Sequence, residues 1–155
     1  MKISNKELTD FLNAANKATY ANKDATKSAS LRPSSEDYHF EQEDLTYHDT
    51  YFGARDFLGE EIVYKKKAPV WGMNYYDYLL DSNVSAKDTY AILRAALIQE
   101  YNDILPVRGP QEHVEGASKY ENEVEGALNR FSGEEKIHLE GKLIYRGWHH
   151  GGNIE

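Results

Sequence analysis

The stretch FLGEEIVYKKKAPVWGMNYYDYLL, residues 57–80, decides the fold. Residues 57–65 are rich in aromatic and β-branched side chains, and residues 70–80 repeat that composition after a charged turn at Lys65 to Pro69. Two such runs separated by a short turn are typical of an antiparallel β-hairpin. Alternation places three large apolar side chains on one face of the returning strand: Trp71, Met73 and Tyr75.

The sequence on both sides of this hairpin keeps the same period of two. Apolar and aromatic residues alternate with polar ones over residues 38–52 and indicate two strands broken near Glu43 and Asp44. Residues 120–149 alternate again around a Glu140–Gly141 turn and indicate three further strands. The hairpin therefore belongs to a larger, mostly antiparallel sheet.

Two segments have helical periodicity instead. Ser4 followed by Glu7 is a capping-box pattern, and an apolar stripe then continues to about residue 21. Ser85 followed by Asp88 begins a second amphipathic helix with a wider apolar stripe, which Pro106 ends. The second helix has the apolar face that a sheet would bury.

We therefore predict one domain spanning residues 1–155. Its parts are an N-terminal helix at 4–21, an extended linker at 22–36, strands at 37–80, a helix at 85–105 and strands at 118–150. The order contains no regular alternation of strands and helices, which excludes a doubly wound parallel sheet. The predicted class is α+β, with a curved, mostly antiparallel sheet of about seven strands packed on the central amphipathic helix.

Composition restricts the class of protein further. The 155 residues include 18 Lys and Arg against 26 Asp and Glu, for a net charge of -8, and no cysteine. Excess negative charge repels phosphate backbones, so we expect no direct binding to nucleic acid. Disulfides and thiolate chemistry are excluded, and no apolar run reaches the roughly 20 residues of a membrane span. We expect a cytoplasmic protein without membrane attachment.

Several well-known motifs are missing from the sequence. It has neither a P-loop nor a GxGxxG turn that would hold phosphates. It has no HExxH zinc motif and no GxSxG nucleophile elbow. We therefore predict no metal site and no cofactor.

Aromatic residues are the strongest positive feature, since the chain has twelve tyrosines. Tyr and Trp offer a ring for stacking and a polar tip, and Arg offers a planar fork for an anion. On strands such rings also serve as ordinary core packing. The candidate pocket residues are Tyr47, Asp49, Tyr51, Glu61, Trp71, Asn74, Tyr76, Arg108 and His149.

Glu60 and Glu61 are a second candidate feature. They are adjacent in a predicted strand, so one of them points to the inner face of the sheet. A glutamate desolvated among tyrosines has a raised pKa and suits acid or base catalysis. If the protein is an enzyme, we expect one of these carboxylates to act with His149 or Tyr51 as proton donor.

Several ordered motifs resemble a bacterial family known as domain of unknown function 5680. The stretches that carry the resemblance are DTYFG (49–53), FLGEEIV (57–63), PVWGMNYY (69–76), RGP (108–110), EVEG (123–126), FSGEE (131–135) and HHGG (149–152). Together the resemblance covers residues 7–154. It implies a stand-alone protein or the C-terminal sensor part of a helix-turn-helix regulator. The residues before position 36 are too few for a helix-turn-helix domain, so DNA binding is not implied for this chain.

Three functions remain open from the sequence. The first is a sensor-like domain that holds a small polar or anionic molecule in a Tyr/Trp-lined pocket, with Arg108 facing the anion. The second is a small hydrolase or lyase that uses Glu60 or Glu61. The third is a module that binds or inhibits another protein. Such a module would itself show an exposed aromatic patch. A homodimer is compatible with all three.

Overall fold

The computed structural model describes residues 3–99 and 108–155. Its elements in chain order are α1 (Asn5–Ala18), β1 (Glu36–Gln42), β2 (Leu45–Gly53), β3 (Phe57–Lys65), β4 (Ala68–Leu79), α2 (Ala86–Leu97), β5 (Glu112–Glu115), β6 (Ser118–Ala127), β7 (Arg130–Leu139) and β8 (Lys142–Asn153). None of the helices in these ranges is long and apolar enough to cross a membrane.

The strands form one curved antiparallel sheet in the order β1-β2-β3-β4-β8-β7-β6-β5. The chain thus makes two meanders of four strands each, and the pairing of β4 with β8 joins them at the centre. The predicted α+β class is confirmed, with eight strands where about seven were expected. The additional strand is β5, a four-residue edge strand whose short run gives little alternation to detect.

The central hairpin forms as the sequence predicts. Strands β3 and β4 pair from Phe57 opposite Asp77 to Lys65 opposite Ala68. Lys66 and Lys67 connect them with φ angles of 48° and 70°, the left-handed conformations that a two-residue turn with matching twist requires. The backbone N–H of Lys66 donates to the carbonyl of Asp44 at 2.9 Å. This bond ties the β3–β4 turn to the β1–β2 turn.

Both helices begin at the predicted caps. The hydroxyl of Ser4 accepts from the backbone N–H of Glu7 at 3.2 Å, and Ser85 does the same for Asp88 at 3.2 Å. Helix α1 ends at Ala18 instead of residue 21, and α2 ends at Leu97. Most of the rest of the predicted second helix, residues 100–105, lies outside the described residues.

The middle strands of the sheet lie between helices α1 and α2. Helix α1 contacts β1 and β2, whereas α2 contacts β6 and β7. Both lie on the face that carries Tyr47, Trp71 and Tyr145, which we call the inner face. The central strands β3, β4 and β8 therefore present their inner side chains to the space between the helices, where the candidate site lies.

The predicted linker packs against the sheet although it has little regular structure. Ser28 forms an isolated antiparallel bridge with Asp37 at the start of β1. Asp37 is buried and accepts hydrogen bonds from Ser35 at 2.5 Å and from Thr50 at 2.6 Å. Arg32 pairs with Glu60 at 2.6 Å. These contacts hold the segment against the other side of the sheet, the outer face.

Candidate functional site

A small cavity lies on the inner face, where the C-terminal ends of α1 and α2 approach the centre of the sheet. Its volume is about 10 Å³, roughly what a single water molecule requires. Polar and aromatic side chains dominate its lining, which consists of Asn16, Tyr20, Ala21, Tyr47, Asp49, Phe57, Glu61, Tyr75, Leu97 and Arg108. We call this space the inner cavity.

Carboxyl groups come together beneath this cavity because of strand register. Asp49 on β2 lies directly opposite Glu61 on β3, so two acidic side chains face each other across one ladder. Asp77 on β4 and Glu135 on β7 both lie opposite Gly147 of β8, one on each side. All four point to the inner face, although core positions of a sheet are ordinarily apolar.

Tyrosine hydroxyls supply donors to these carboxyl groups. Tyr75 donates to Oδ1 of Asp49 at 2.7 Å, and Tyr47 hydrogen-bonds to Glu61. Tyr120 donates a very short hydrogen bond to Oε1 of Glu135. Each tyrosine lies in phase with the acidic residues on its strand or on a neighbouring one. The polar groups of the inner face are therefore bonded mainly to one another.

Arg108 brings a positive charge into this acidic surrounding. Its Nη2 atom lies 3.2 Å from Oδ2 of Asp77, and its Nε atom lies 2.9 Å from Oε2 of Glu135. The guanidinium also lies over the ring of Tyr75, with 4.5 Å from Cζ to the ring centroid. Its φ angle is 80°, an unusual conformation for a residue with a side chain, of the kind that concentrates at functional sites. We call Asp49, Glu61, Asp77, Arg108 and Glu135 the inner polar cluster.

Glycines on the sheet provide the space that the inner face needs. A methyl group on Gly147 would overlap Oδ1 of Asp77, and one on Gly59 would overlap the hydroxyl of Tyr75. The same substitution at Gly133 would overlap the imidazole of His149. Since β-strands disfavour glycine, glycine inside a strand often marks the close approach of another group. Here that group is a buried polar side chain in each case.

Burial shifts the proton affinities of this cluster. Burial raises the pKa of Glu61 to about 7, although the charge of Arg108 and a hydrogen bond from Tyr47 oppose the shift. Burial and the neighbouring charge of Glu61 raise the pKa of Asp49 well above its ordinary value. Burial also raises the pKa of Asp77 to about 7 against the effect of Arg108. Asp49, Glu61 and Asp77 therefore hold protons that ordinary carboxylates lose near pH 4.

His149 lies in the same layer of the inner face, but its pKa is shifted in the opposite direction. It is 1% exposed and lies opposite Tyr75 on the sheet. Neither ring nitrogen has a hydrogen-bond partner among the residues that the structure describes. Burial lowers its pKa to about 4. His149 is therefore a neutral side chain at physiological pH.

These shifts predict a stability that depends on pH. Glu61 has an ordinary pKa of 4.5 and a folded value of about 7, so its stabilising proton is lost as pH rises through that window. We expect the free energy of unfolding to fall from pH 5 to pH 8 by about 2 kcal/mol more in the native chain than in Glu61→Gln. Urea unfolding at both pH values measures the difference.

A matched control for this measurement is Glu60→Gln, which alters the neighbouring residue on the outer face. It should reproduce the native pH dependence. His149 contributes with the opposite sign, because stability is lost as pH falls from 6.5 towards its folded value of about 4. Equal pH dependence in the native chain and Glu61→Gln would contradict a half-buried Glu61 that keeps its proton.

The structure brings only some of the predicted site residues to the cavity. Tyr47, Asp49, Glu61 and Arg108 line it. Tyr51 and His149 are on the inner face beside it but not in its lining. Trp71 is fully buried, stacks on Phe131 with 5.8 Å between ring centroids, and donates to the carbonyl of Leu128 at 2.9 Å. It therefore belongs to the hydrophobic core.

The remaining predicted residues are on the outer face. Asn74 and Tyr76 are exposed there, and Glu60 pairs with Arg32. Tyr76 is part of an exposed apolar patch, whose other members include Leu58 and Trp148. An outer patch of this kind is the feature expected of a protein-interaction module, and that function stays a prediction.

Sequence reasoning missed five acidic or aromatic members of the site: Tyr20, Phe57 and Tyr75 in the cavity lining, and the acidic pair Asp77 and Glu135. A usable signal was present for the acidic pair. Asp77 alternates in phase with Trp71, Met73 and Tyr75, which were already predicted to share a face. A carboxylate in phase with core positions indicates a buried charge that needs a partner.

Comparison with known families gives one match. A profile of the family described as "Domain of unknown function (DUF5680)" matches residues 49–154. The chain belongs to the DUF5680 family. The DUF5680 match includes the whole inner polar cluster but excludes α1 and Tyr47. Neither the curated proteins nor the solved structures gave a match. The bacterial origin and the regulator association that the resemblance implies for DUF5680 proteins stay predictions.

Proposed function

We propose that this protein is a binding domain that holds a small polar molecule at the inner cavity. The observation that carries the proposal is the inner polar cluster itself, four carboxyl groups and one guanidinium on the face where a sheet ordinarily buries apolar side chains. All of these residues are buried except Glu61, which is half-buried. Hydrophobic residues of similar volume commonly stabilise a core as well as buried ion pairs do, or better. A cluster this acidic therefore favours a functional role over a structural one.

The contacts of Arg108 narrow the kind of ligand. The sequence suggested that this guanidinium would face an anion. In the fold Arg108 is already paired with Asp77 and Glu135 and stacked on Tyr75, so its charge is satisfied by the protein. We propose a ligand that hydrogen-bonds to the carboxyl and phenol groups of the cavity. It is not an anion held by Arg108.

The size of the cavity determines how such a ligand enters. A space of about 10 Å³ accepts one water molecule, whereas ligand sites commonly measure about 300 Å³ or more. The sheet side of the cavity is fixed by strand pairing. The lining residues outside the strands are Asn16, Tyr20, Ala21, Leu97 and Arg108, and of these Tyr20 and Leu97 carry the bulky apolar side chains. Binding therefore requires these side chains to move outward.

Glu61→Gln and Glu60→Gln test the proposed site as a matched pair. We expect compounds that raise the melting temperature of the native chain in a thermal-shift screen to do so equally in Glu60→Gln. The same compounds should lose at least about tenfold in affinity with Glu61→Gln, since a charge-assisted hydrogen bond contributes about 1.5–3 kcal/mol. Titration calorimetry measures the affinities. Equal binding by both variants would place the ligand elsewhere.

A second candidate function is acid–base catalysis at the same place. The observation that favours it is Glu61, whose pKa of about 7 suits a general base at neutral pH, beside a cavity that fits one water molecule. Tyr47 and Tyr75 are the nearest phenol donors, whereas His149 and Tyr51 do not line the cavity. The same variant pair tests this candidate, because turnover of a substrate would be lost in Glu61→Gln and kept in Glu60→Gln.

A further inference from the structure

The inner face carries two carboxyl pairs, and they differ in their counterions. Asp77 and Glu135 share the guanidinium of Arg108, which also lies over the Tyr75 ring. Asp49 and Glu61 lie opposite each other on β2 and β3, where the Tyr75 hydroxyl donates to Asp49, and no Lys or Arg among the described residues forms an ion pair with them. One pair thus has its cation supplied by the chain, and the second pair does not.

The second pair is also the one that faces open space. Asp49 and Glu61 both line the inner cavity, whereas Asp77 and Glu135 do not. Aromatic rings form much of the remaining wall: Tyr20, Tyr47, Phe57 and Tyr75. Carboxylates combined with aromatic faces are the surroundings that organic cations prefer in proteins. The Arg108 guanidinium over Tyr75 shows that this part of the fold already accommodates such a cation.

The donors supplied by the protein do not saturate this pair. Tyr75 donates to Asp49, and Tyr47 hydrogen-bonds to Glu61. An ionised carboxylate offers about four lone-pair sites on its two oxygens. A ligand with several N–H donors would use the acceptor sites that the two tyrosines leave. An anionic ligand would instead face two carboxyl groups, and Arg108, the cation in the cavity wall, is already paired with Asp77 and Glu135.

We propose that the inner cavity binds a small organic cation, an amine or a guanidinium compound, between Asp49 and Glu61, and that its binding releases a proton from this pair. This inference rests on the proposed binding function and adds the charge class of the ligand. Asp49 is buried and Glu61 opposite it is half-buried. Two carboxyl groups so placed retain a proton because both cannot ionise readily. A bound cation favours the doubly ionised form, so the retained proton leaves to solvent.

Other charged groups around the pair set the background for this titration. From the sheet, Tyr47, Tyr75, Asp77 and Glu135 face the pair, and Asp37 adds negative charge from the far side of β1. From the helical side, Arg108 and the phenol of Tyr20 face it. Arg108 stays charged, because the negative charges of Glu135 and Asp77 raise its pKa although burial opposes them. Asp49 and Glu61 are therefore the groups that respond to the ligand.

Calorimetric titration of the full chain tests the inference. The probes are methylguanidine, agmatine and spermidine as cations, with ribose as a neutral compound and citrate as an anion. We expect at least one cation to bind, with affinity increasing between pH 6 and pH 8 by up to about tenfold per pH unit for each proton released. Titrations in buffers of different ionisation enthalpy at pH 7 should show that proton release directly.

Variants separate this inference from the function on which it rests. Glu61→Gln should remove both the proton release and most of the affinity, and Glu60→Gln should keep both. Asp49→Asn provides a second test of the pair if Glu61→Gln unfolds. Binding of ribose or citrate that depends on Glu61 and releases no proton would overturn the cation class and leave the binding function intact. No binding by any of the five probes would count against both.

Discussion

Arg108→Met is expected to lower the free energy of unfolding by about 4 kcal/mol at pH 7. The guanidinium is 5% exposed and lies between Asp77 and Glu135. Without it, those carboxylates remain buried with no counterion, and the remaining acidic groups repel one another. Urea unfolding followed by tryptophan fluorescence measures the loss, since Trp71 is fully buried and Trp148 is partly exposed.

The control for this variant is Arg146→Met. Arg146 pairs with Glu134 at 2.9 Å on the outer face, with both side chains partly exposed, and such pairs contribute at most about 1 kcal/mol. Lowering the pH to 5 should restore part of the stability of Arg108→Met, because protonation removes negative charge from the buried Asp77. A loss that matches Arg146→Met and does not depend on pH would mean that Arg108 does not neutralise the cluster.

Gly147→Ala is expected to destabilise the fold by about 3 kcal/mol. The added methyl group would overlap Oδ1 of Asp77, which lies directly opposite Gly147 in the β4–β8 ladder. Asp77 is bonded to Arg108 and fully buried, so it cannot turn away without breaking that ion pair. Thermal and urea unfolding measure the effect, and we expect a matching loss of any ligand binding at the inner cavity.

Gly72→Ala is the matched substitution in the neighbouring strand β4. Its nearest neighbour is the terminal Cδ1 atom of Ile62, 2.8 Å from the added carbon. The end of an isoleucine side chain can shift by a rotamer change, so we expect a loss below about 1 kcal/mol. Equal effects of the two substitutions would indicate that strand glycine in general, and not room for Asp77, explains the result.

Local patterns predicted much of the fold because they act over a few residues. The caps at Ser4 and Ser85 each depend on a hydroxyl and a backbone N–H three residues later. The hairpin of residues 57–80 follows from alternation and a turn. Strand β5 was missed because its four residues gain their conformation from pairing with β6, a tertiary contact.

The candidate site was predicted in part for the same reason. Alternation predicted that Glu60 and Glu61 point to opposite faces without deciding which of them points inward, and it placed Tyr47 and Asp49 on one face of β2. Alternation cannot tell which residues of one face meet a cavity and which enter the core. Trp71 shares a face with Tyr75, yet it stacks on Phe131 from the opposite meander. That contact depends on the β4–β8 pairing between strands far apart in sequence.

The sequence by itself determined the helices, the hairpin, the mixed class and the presence of acidic and aromatic residues on strands. Those features depend on periodicity and on capping, which act between residues only a few positions apart in the sequence. Only the tertiary structure decided that Asp49 and Glu61 face each other with no ion pair to a Lys or Arg of the described residues, while Arg108 joins Asp77 and Glu135. That distribution of charge comes from the register of non-consecutive strands and from burial. Burial in turn determines which carboxyl groups keep their protons.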